Sequence, residues 1–562
     1  MAVLLVLGTG LRLAFPSRMA VEHFDEGVYA SNIWFGSESG FQYPMQRLYA
    51  PPLLPGLIEW SMIFDRLSGA REVNTWTPMV PSLLAGCVTL LLVWRMTREW
   101  FGSEAGIATL AIASLSDFHA LYSRAALTES LLLLLFIAAV WTLKRAFSTN
   151  SYLALAVAGL LTGLGWWTKY NGWLPLAVGA GGLVVAFTLD ADHRRQAGRL
   201  IAFWLGAAAI AFAVWSPHLR ELQSYGGYAE VAANHRQYVV GLAGWASSLG
   251  QQYANLSFFD GWASCASVGV AMLFAGSMGP LDRHRLVRLL AVASGLGAAN
   301  AWLGTALVMF VLSVGFVGAQ LYRRRFAVHT EDARDDLALY FLAAWIAGLF
   351  IVTPLYHPYP RLTLPWLCAG WIGAGVAISR LIEQSPRTSK PWSAILVVSV
   401  LALSLGLHRV AEHGTPAWQS RTGWLPISKQ IVEEVGDRAV ATRGNRDEAF
   451  VIVFGEPGLF FQLNAAGTQA FGPAADLSFI TRTPPDTSVP IFLVTGPHAE
   501  RTAGFPEELA RHAPRLERIA EYSYMPSDLV LLNQYHPRLL ARGQAPMRAE
   551  RVTLYEVVDK RE

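Results

Sequence analysis

The feature that most constrains this chain is a succession of apolar runs, each near the length that crosses a lipid bilayer, divided by short charged or aromatic breaks. About 20 consecutive apolar residues, with shorter runs tolerated, span the hydrocarbon core as a helix, because backbone polar groups there must be satisfied internally. On that measure helices are predicted near residues 2–19, 77–95, 104–119, 125–143, 151–168, 173–189, 200–216, 260–279, 286–299, 301–321, 337–354, 362–379 and 391–408, thirteen in all. Composition agrees: 53% of the 562 residues are hydrophobic and 15% charged, against about 25% charged in soluble domains. The opening run "MAVLLVLGTGLRLAF" has no basic start and no small-residue cleavage site, so it is read as a retained first helix and not a leader.

Loop charges set the expected orientation. With a cytoplasmic start, the inside loops carry Arg95 and Arg98; Lys144 and Arg145; Arg194, Arg195 and Arg199; Arg283, Arg285 and Arg288; Arg323, Arg324 and Arg325; and Arg380, Arg387 and Lys390. The opposite loops, 20–76, 120–124, 169–172, 217–259 and 355–361, are poorer in Lys and Arg and are expected outside. The pair 286–321, with its tight hairpin at Ala299-Asn300, decides the parity. A net charge of +3 without a basic tract gives no reason to expect a nucleic-acid partner. Cys87, Cys265 and Cys368 all lie in apolar runs, which indicates buried thiols and neither a disulfide framework nor a zinc site.

Residues 1–408 therefore read as a membrane domain, and 409–562 as a separate α/β domain that parity places outside the membrane. There "AFVIVFG", "VPIFLVTG", "DLVLLN" and "VTLYEVV" read as short buried strands, and "PEELARHAPRLERIAEY" has helical periodicity. "GEPG" after the first of these strands is a turn signal, and no fuller glycine fingerprint supports a phosphate loop.

The outer loops hold the chemistry. "HFDEGVY" places Asp25 and Glu26 side by side where the first helix ends; alone, such a pair is an ordinary solvated cap. The loop continues aromatic and proline-rich as "YPMQRLYAPPLLPGLIEW", a pattern of interfacial helices that could wall a cavity. "SDFHALYSRAALTESLLLLLF" puts Tyr122 and Arg124 at the surface and Glu129 a turn inside a helix, where a carboxylate is costly and an ion pair with Arg124 is the plain alternative to a functional role. "GLGWWTKYNGWLPL" sets Lys169 and Tyr170 among tryptophans, which is also the pattern of an interfacial belt. "TPLYHPYPRLTLPWL" holds His357, Tyr359 and Arg361 in a loop fixed by prolines, and "YGGYAEVAANHRQYVVGLAGW", with His235, reads equally as a mobile cover or an amphipathic interfacial helix. Acids, cations and aromatic rings thus converge from remote segments on one membrane face. That set suits a reaction of a hydroxyl or amine with a lipid-borne phosphodiester, one acid taking a proton while cations stabilise the departing phosphate.

These motifs in this order, "HFDEGVY" with "APPL", "YSRAALTESLLLLLF", "GLLTGLGWWTKYNGWL" and "HPYPRLTLPWL", resemble the multispanning GT-C glycosyltransferases, specifically the protein O-mannosyltransferase and aminoarabinose transferase (ArnT) group, over about residues 1–380. The resemblance implies transfer of a sugar from a polyprenyl phosphate, usually with inversion, to a lipid, glycan or protein acceptor at the outer face of the cell membrane. By motif it implies Asp25 as catalytic base and Glu26 as its orienting or acceptor-contacting neighbour. Lys169, Arg361 and Arg124 become the donor-phosphate ligands, and Tyr29, Tyr122, Tyr170, His235, His357 and Tyr359 the sugar or acceptor pocket. Glu129 stands where that group often has Asp, so a divalent metal at Glu129 stays open; no other cofactor is implied. The span count with a C-terminal outer domain is nearer ArnT than the mannosyltransferases, and the oligosaccharyltransferase signature "WWDYG" is absent. A flippase for lipid-linked sugars is the first alternative, but it should place ionisable residues near the midplane and often carries repeats, of which none is found. A non-catalytic scaffold is the second, and it leaves the outer-face acids unexplained.

Overall fold

The computed structural model of the chain describes residues 1–31, 46–67, 74–326, 336–384, 392–412, 416–445, 449–466, 471–474, 476–482, 489–531 and 549–558. Parts of the predicted first outer loop, 32–45 and 68–73, lie outside the described residues.

A helix stands at each of the thirteen predicted positions: Ala2–Leu13, Val80–Phe101, Ser103–Ser114, Thr128–Thr149, Tyr152–Thr168, Leu174–Leu189, Ala197–Leu222, Trp262–Gly276, Arg283–Leu303, Thr305–Phe326, Asp336–Val352, Leu364–Gln384 and Trp392–Glu412. Among the described residues, eight spans are long and apolar enough to cross a membrane unaided, or up to nine if Gly241–Phe259 and Trp262–Gly276, bent by 88° at their break, are one crossing. Thirteen helices are thus present, but not thirteen full-length crossings. The first stops at Leu13, short of the predicted residue 19, because the chain turns at Phe15 (φ +52°) into Pro16. Between 283 and 326 there are two helices, as expected, but the break falls at Gly304 (φ +88°) and not at Ala299-Asn300. There a Cβ would lie 2.7 Å from Ser257 Oγ, so glycine is needed for space as well as conformation.

The predicted outer loop 217–259 is largely helical. Ala197–Leu222 continues through Pro217, the positive-φ pair Gly226-Gly227 turns the chain, and Tyr228–Arg236 and Gly241–Phe259 follow.

The C-terminal residues form a five-stranded mixed sheet of β1 (Phe450–Phe454), β2 (Phe471–Ala474), β3 (Ile491–Thr495), β4 (Leu516–Tyr524) and β5 (Glu550–Val557), in the order β2-β1-β3-β5-β4. β1 runs parallel to β2 and β3, while β5 is antiparallel to β3 and β4. Alternation along β1 and β3 feeds two cores: Val451, Val453, Phe492 and Val494 pack with Trp424, Ile427 and Ile431 of the helix Trp424–Arg443, whereas Ile452, Phe454 and Leu493 meet Leu477, Ile480 and Phe505. Two predictions are corrected here. "DLVLLN" enters a helical turn, Asp528–Leu531. "PEELARHAPRLERIAEY" divides at Pro514 into a helix, Phe505–His512, and the strand β4, because proline ends the helical pattern and two-residue alternation takes over. The unpredicted β2 is an edge strand containing Pro473, whose missing N–H an edge tolerates.

Candidate active site

The helix Phe24–Ala30 is set by its own N-terminus. His23 Nδ1 accepts the Asp25 N–H at 3.1 Å, and Glu26 Oε2 accepts the His23 N–H at 3.0 Å, a reciprocal cap. Successive helical residues point about 100° apart, so the adjacent carboxylates diverge.

Glu26 turns inward and is fully buried. It also accepts the Glu22 N–H at 3.1 Å and the Ala126 N–H at 2.8 Å, and it pairs with Arg421 at 2.6 Å. Burial would raise its carboxyl, but Arg421 and the His23 N–H outweigh burial and hold it below the ordinary range.

Asp25 turns the other way and pairs with Arg361. Arg361 Nε lies 3.7 Å from Glu129 Oε1, and Lys169 Nζ lies 2.5 Å from the same oxygen. Two acids and two cations therefore alternate in one row, drawn from four segments far apart in sequence. Each has a local reason for its place. Arg361 stands in the 3-10 turn Pro360–Thr363 with its guanidinium over the Tyr359 ring at 5.1 Å. Glu129 is in the first turn of Thr128–Thr149, and Lys169 ends Tyr152–Thr168 through its N–H to Gly165. The Asp25, Arg361 and Lys169 side chains are 13%, 16% and 20% exposed, whereas Glu129, at 3%, is buried. Burial would raise the Asp25 carboxyl too, but Arg361, then His23 and Lys169, hold it below the usual carboxylate range.

Tyr29 and Tyr122 are buried close enough to feel this row, Tyr29 through Asp25 and Arg361 and Tyr122 through Glu129 and Arg361. His235 feels the charges of Lys169 and Asp25, and its Nδ1 is 3.0 Å from the Tyr356 hydroxyl. The His357 ring lies tilted against Tyr359, centroids 4.5 Å apart, one ring removed from Arg361. Two predicted residues are placed elsewhere. Arg124 is buried and donates to the carbonyls of Arg12 (2.9 Å), Ala14 and Phe15 (3.4 Å), closing the C-terminal end of the first helix, and the carboxylate Glu129 pairs with Lys169 and Arg361 instead. Tyr170 turns from Lys169 toward Leu48, Leu222 and Val231, donates to the Arg47 carbonyl and lies 3.3 Å from His218 Nε2.

Arg421 is the residue that sequence reading missed. It lies between the helices Trp392–Glu412 and Trp424–Arg443 in "SRTGWLP", with nothing local to mark it. An apolar cavity of 340 Å³ also opens near the row, lined by Leu249, Tyr253, Phe310, Phe350 and Trp366 and reaching Thr363, two residues beyond Arg361.

The site does not fit a metal. Glu129 is flanked by two cations, and no group of three or more His, Cys, Asp or Glu side chains able to hold an ion occurs among the described residues.

Behind the site, Glu22 is buried where the membrane helices meet the sheet domain and accepts from the Tyr524 hydroxyl and the Ser527 N–H, both at 3.1 Å, and from the Ser527 hydroxyl. Burial dominates and pushes its carboxyl from about 4.5 up to about 7. The folded state therefore holds this proton more tightly than the unfolded one. Its stabilisation is complete below the unfolded value and is lost as pH rises through about 7. Relative to Glu22→Gln, the wild-type protein is expected to lose roughly 3 kcal/mol across that window, at about 1.4 kcal/mol per pH unit. Thermal unfolding of both proteins across the window checks this; parallel curves would contradict it.

Residues 51–220 match a sequence profile described as dolichyl-phosphate-mannose-protein mannosyltransferase. That stretch contains Glu129 and Lys169 but neither Asp25 nor Arg361. No curated protein matches the chain in sequence. Among solved structures, ArnT from Cupriavidus metallidurans, bound to undecaprenyl phosphate, is similar over 98% of this chain and 96% of its own, with 12% identity and a TM-score of 0.51. The oligosaccharyltransferase AglB from Archaeoglobus fulgidus, in complex with an inhibitory peptide and a dolichol-phosphate, is similar over 94% of this chain and 76% of its own, with 13% identity and a TM-score of 0.52. The resemblance seen in the motifs is borne out: the chain has the GT-C fold, with a helical membrane region and a small C-terminal sheet.

Proposed function

We propose that the chain is an integral-membrane glycosyltransferase that moves a sugar from a polyprenyl-phosphate donor to a lipid, glycan or protein acceptor at the outer face of the membrane. The observation that carries this reading is the row Asp25–Arg361–Glu129–Lys169, partly exposed at Asp25, Arg361 and Lys169, with an apolar cavity reaching Thr363, two residues beyond Arg361. The polyprenyl phosphates bound by ArnT and AglB are lipids of the kind such a row and cavity would accept.

In this mechanism Asp25 removes the proton of the acceptor O–H or N–H. The acceptor atom attacks the anomeric carbon from the face opposite the phosphate, the anomeric C–O bond breaks, and polyprenyl phosphate leaves with the bonding pair, giving inversion. Arg361 and Lys169 hold the departing phosphate. Arg361 has two tasks in succession. While paired with Asp25 it makes that carboxylate a weak base, and once it turns to a phosphate the carboxylate is released and its proton affinity rises. Glu129 keeps the two cations a fixed distance apart, and Glu26 orients the Asp25 helix. Tyr29, Tyr122, Tyr359 and His235, close to the row, are the groups this reading assigns to the sugar or acceptor.

A panel of undecaprenyl-phosphate monosaccharides, incubated with the protein in nanodiscs and a membrane extract as acceptor, should release undecaprenyl phosphate from at least one member. Release from none would count against the reading. Because Glu129 acts here through cations of the protein, EDTA is expected to leave turnover unchanged within twofold, whereas a metal role would show as loss and recovery on adding a divalent ion. Reporter fusions after residues 325 and 420 should give cytoplasmic and extracytoplasmic signals respectively; a cytoplasmic signal after 420 would put the proposed sidedness wrong.

A further inference from the structure

The sheet domain packs on residues 21–27, the segment that carries Asp25. Gln462 Nε2 donates to the Val21 carbonyl at 2.9 Å, and Trp424 Nε1 donates to the Glu22 carbonyl at 3.2 Å. Trp424 is itself stacked on Tyr524, which holds the Glu22 carboxyl. The Phe24 ring lies 5.2 Å from the ring of His498, and that imidazole pairs with Glu456 at 2.8 Å. At Gly27 the two backbones touch: a Cβ there would lie 2.2 Å from the Pro457 carbonyl carbon and 2.3 Å from the Gly458 nitrogen. Arg421 reaches through the same junction to Glu26 and, with its other nitrogen, to the Arg124 carbonyl. Apart from the Phe24–His498 ring contact, these contacts go to main chain or to buried carboxylates, and they fall on both sides of Asp25 in sequence. Asp25 itself faces the opposite way, toward Arg361.

We infer that the C-terminal domain is a working part of the transfer site: Arg421, acting through Glu26, and the Glu456–Pro457–Gly458 turn, pressed on Gly27, hold residues 22–27 so that Asp25 is aimed at Arg361. Arg421 is in this sense a positioning residue, and the inference rests on the reading of Asp25 as base. The "GEPG" turn thus serves as a backbone surface against which the helix carrying Asp25 is pressed.

Two variants of the full chain test this. Arg421→Lys keeps the charge but cannot reach Glu26 and the Arg124 carbonyl together. Gly27→Ala puts a methyl group where the Pro457 backbone now sits. Each is expected to lower turnover about 10- to 100-fold, since a displacement near 1 Å of a reacting group costs about that much. Undecaprenyl phosphate should bind each variant within threefold of the wild-type protein, because the cations that would hold it are untouched.

The diagnostic comparison is with Asp25→Asn. If Arg421 works through Asp25, then Arg421→Lys costs nothing further once Asp25 is gone, and the double variant turns over at the rate of Asp25→Asn alone. A general loss of structure would instead lower the double variant further and weaken lipid binding. Arg421→Lys and Gly27→Ala proteins that turn over within twofold of wild type, beside an inactive Asp25→Asn, would overturn the inference and leave the base assignment standing. A fully active Asp25→Asn would remove both together.

Discussion

Asp25→Asn is expected to give a folded, membrane-inserted protein whose turnover is about 10²- to 10⁴-fold below wild type, the usual contribution of a positioned general base. Binding of undecaprenyl phosphate should persist and tighten. The row holds two acids and two cations, so it is close to neutral before any substrate arrives. A phosphate must compete with Asp25 for Arg361, and removing the carboxylate leaves an excess positive charge that the phosphate would meet unopposed. A catalytic defect paired with improved lipid binding is hard to produce by damage to the fold. Turnover near normal in a well-expressed Asp25→Asn protein would refute the assignment.

Arg361→Ala is expected to produce the opposite pattern. It removes a charge-assisted contact worth about 1.5–3 kcal/mol, which is roughly 10- to 100-fold in affinity. It also leaves Lys169, at the far end of the row, as the one cation of the row set against Asp25 and Glu129, so an incoming phosphate meets a net negative row. Lys169→Ala should act in the same direction but less, because Lys169 is the more exposed cation and Arg361 would still face the phosphate. Isothermal titration with undecaprenyl phosphate separates the variants: affinity in Arg361→Ala within threefold of wild type would remove Arg361 from the phosphate site.

Much of this arrangement was legible in sequence because its signals are local. Apolar length gives the helices, and an acid or a cation where an apolar run ends marks the residues that reach the membrane face. Asp25, Glu129, Lys169 and Arg361 all carry that signal, and the fold brings them together. What the sequence hid is where neighbouring side chains go. Asp25 and Glu26 look equivalent in "HFDEGVY", yet the reciprocal cap with His23 commits Glu26 to the interior and its partner is almost 400 residues away, at Arg421. Arg124 and Tyr170 sit in the same motifs as Glu129 and Lys169 but on turns that send them to a helix end and to a separate apolar cluster. Motif membership gives position along the chain, and rotation about a short helix decides the rest. In the sheet domain, Pro514 was enough to turn one predicted helix into a helix followed by a strand.

The central claim is that this row of charges acts on a sugar carried by a polyprenyl phosphate, and mass spectrometry of membrane lipids from a deletion strain tests it most directly. The strain should accumulate one polyprenyl-phosphate sugar, which wild-type protein clears on re-expression and an equally expressed Asp25→Asn protein does not. A deletion strain whose polyprenyl-phosphate sugars are unchanged, or an Asp25→Asn protein that clears the lipid as well as wild type, would contradict the claim.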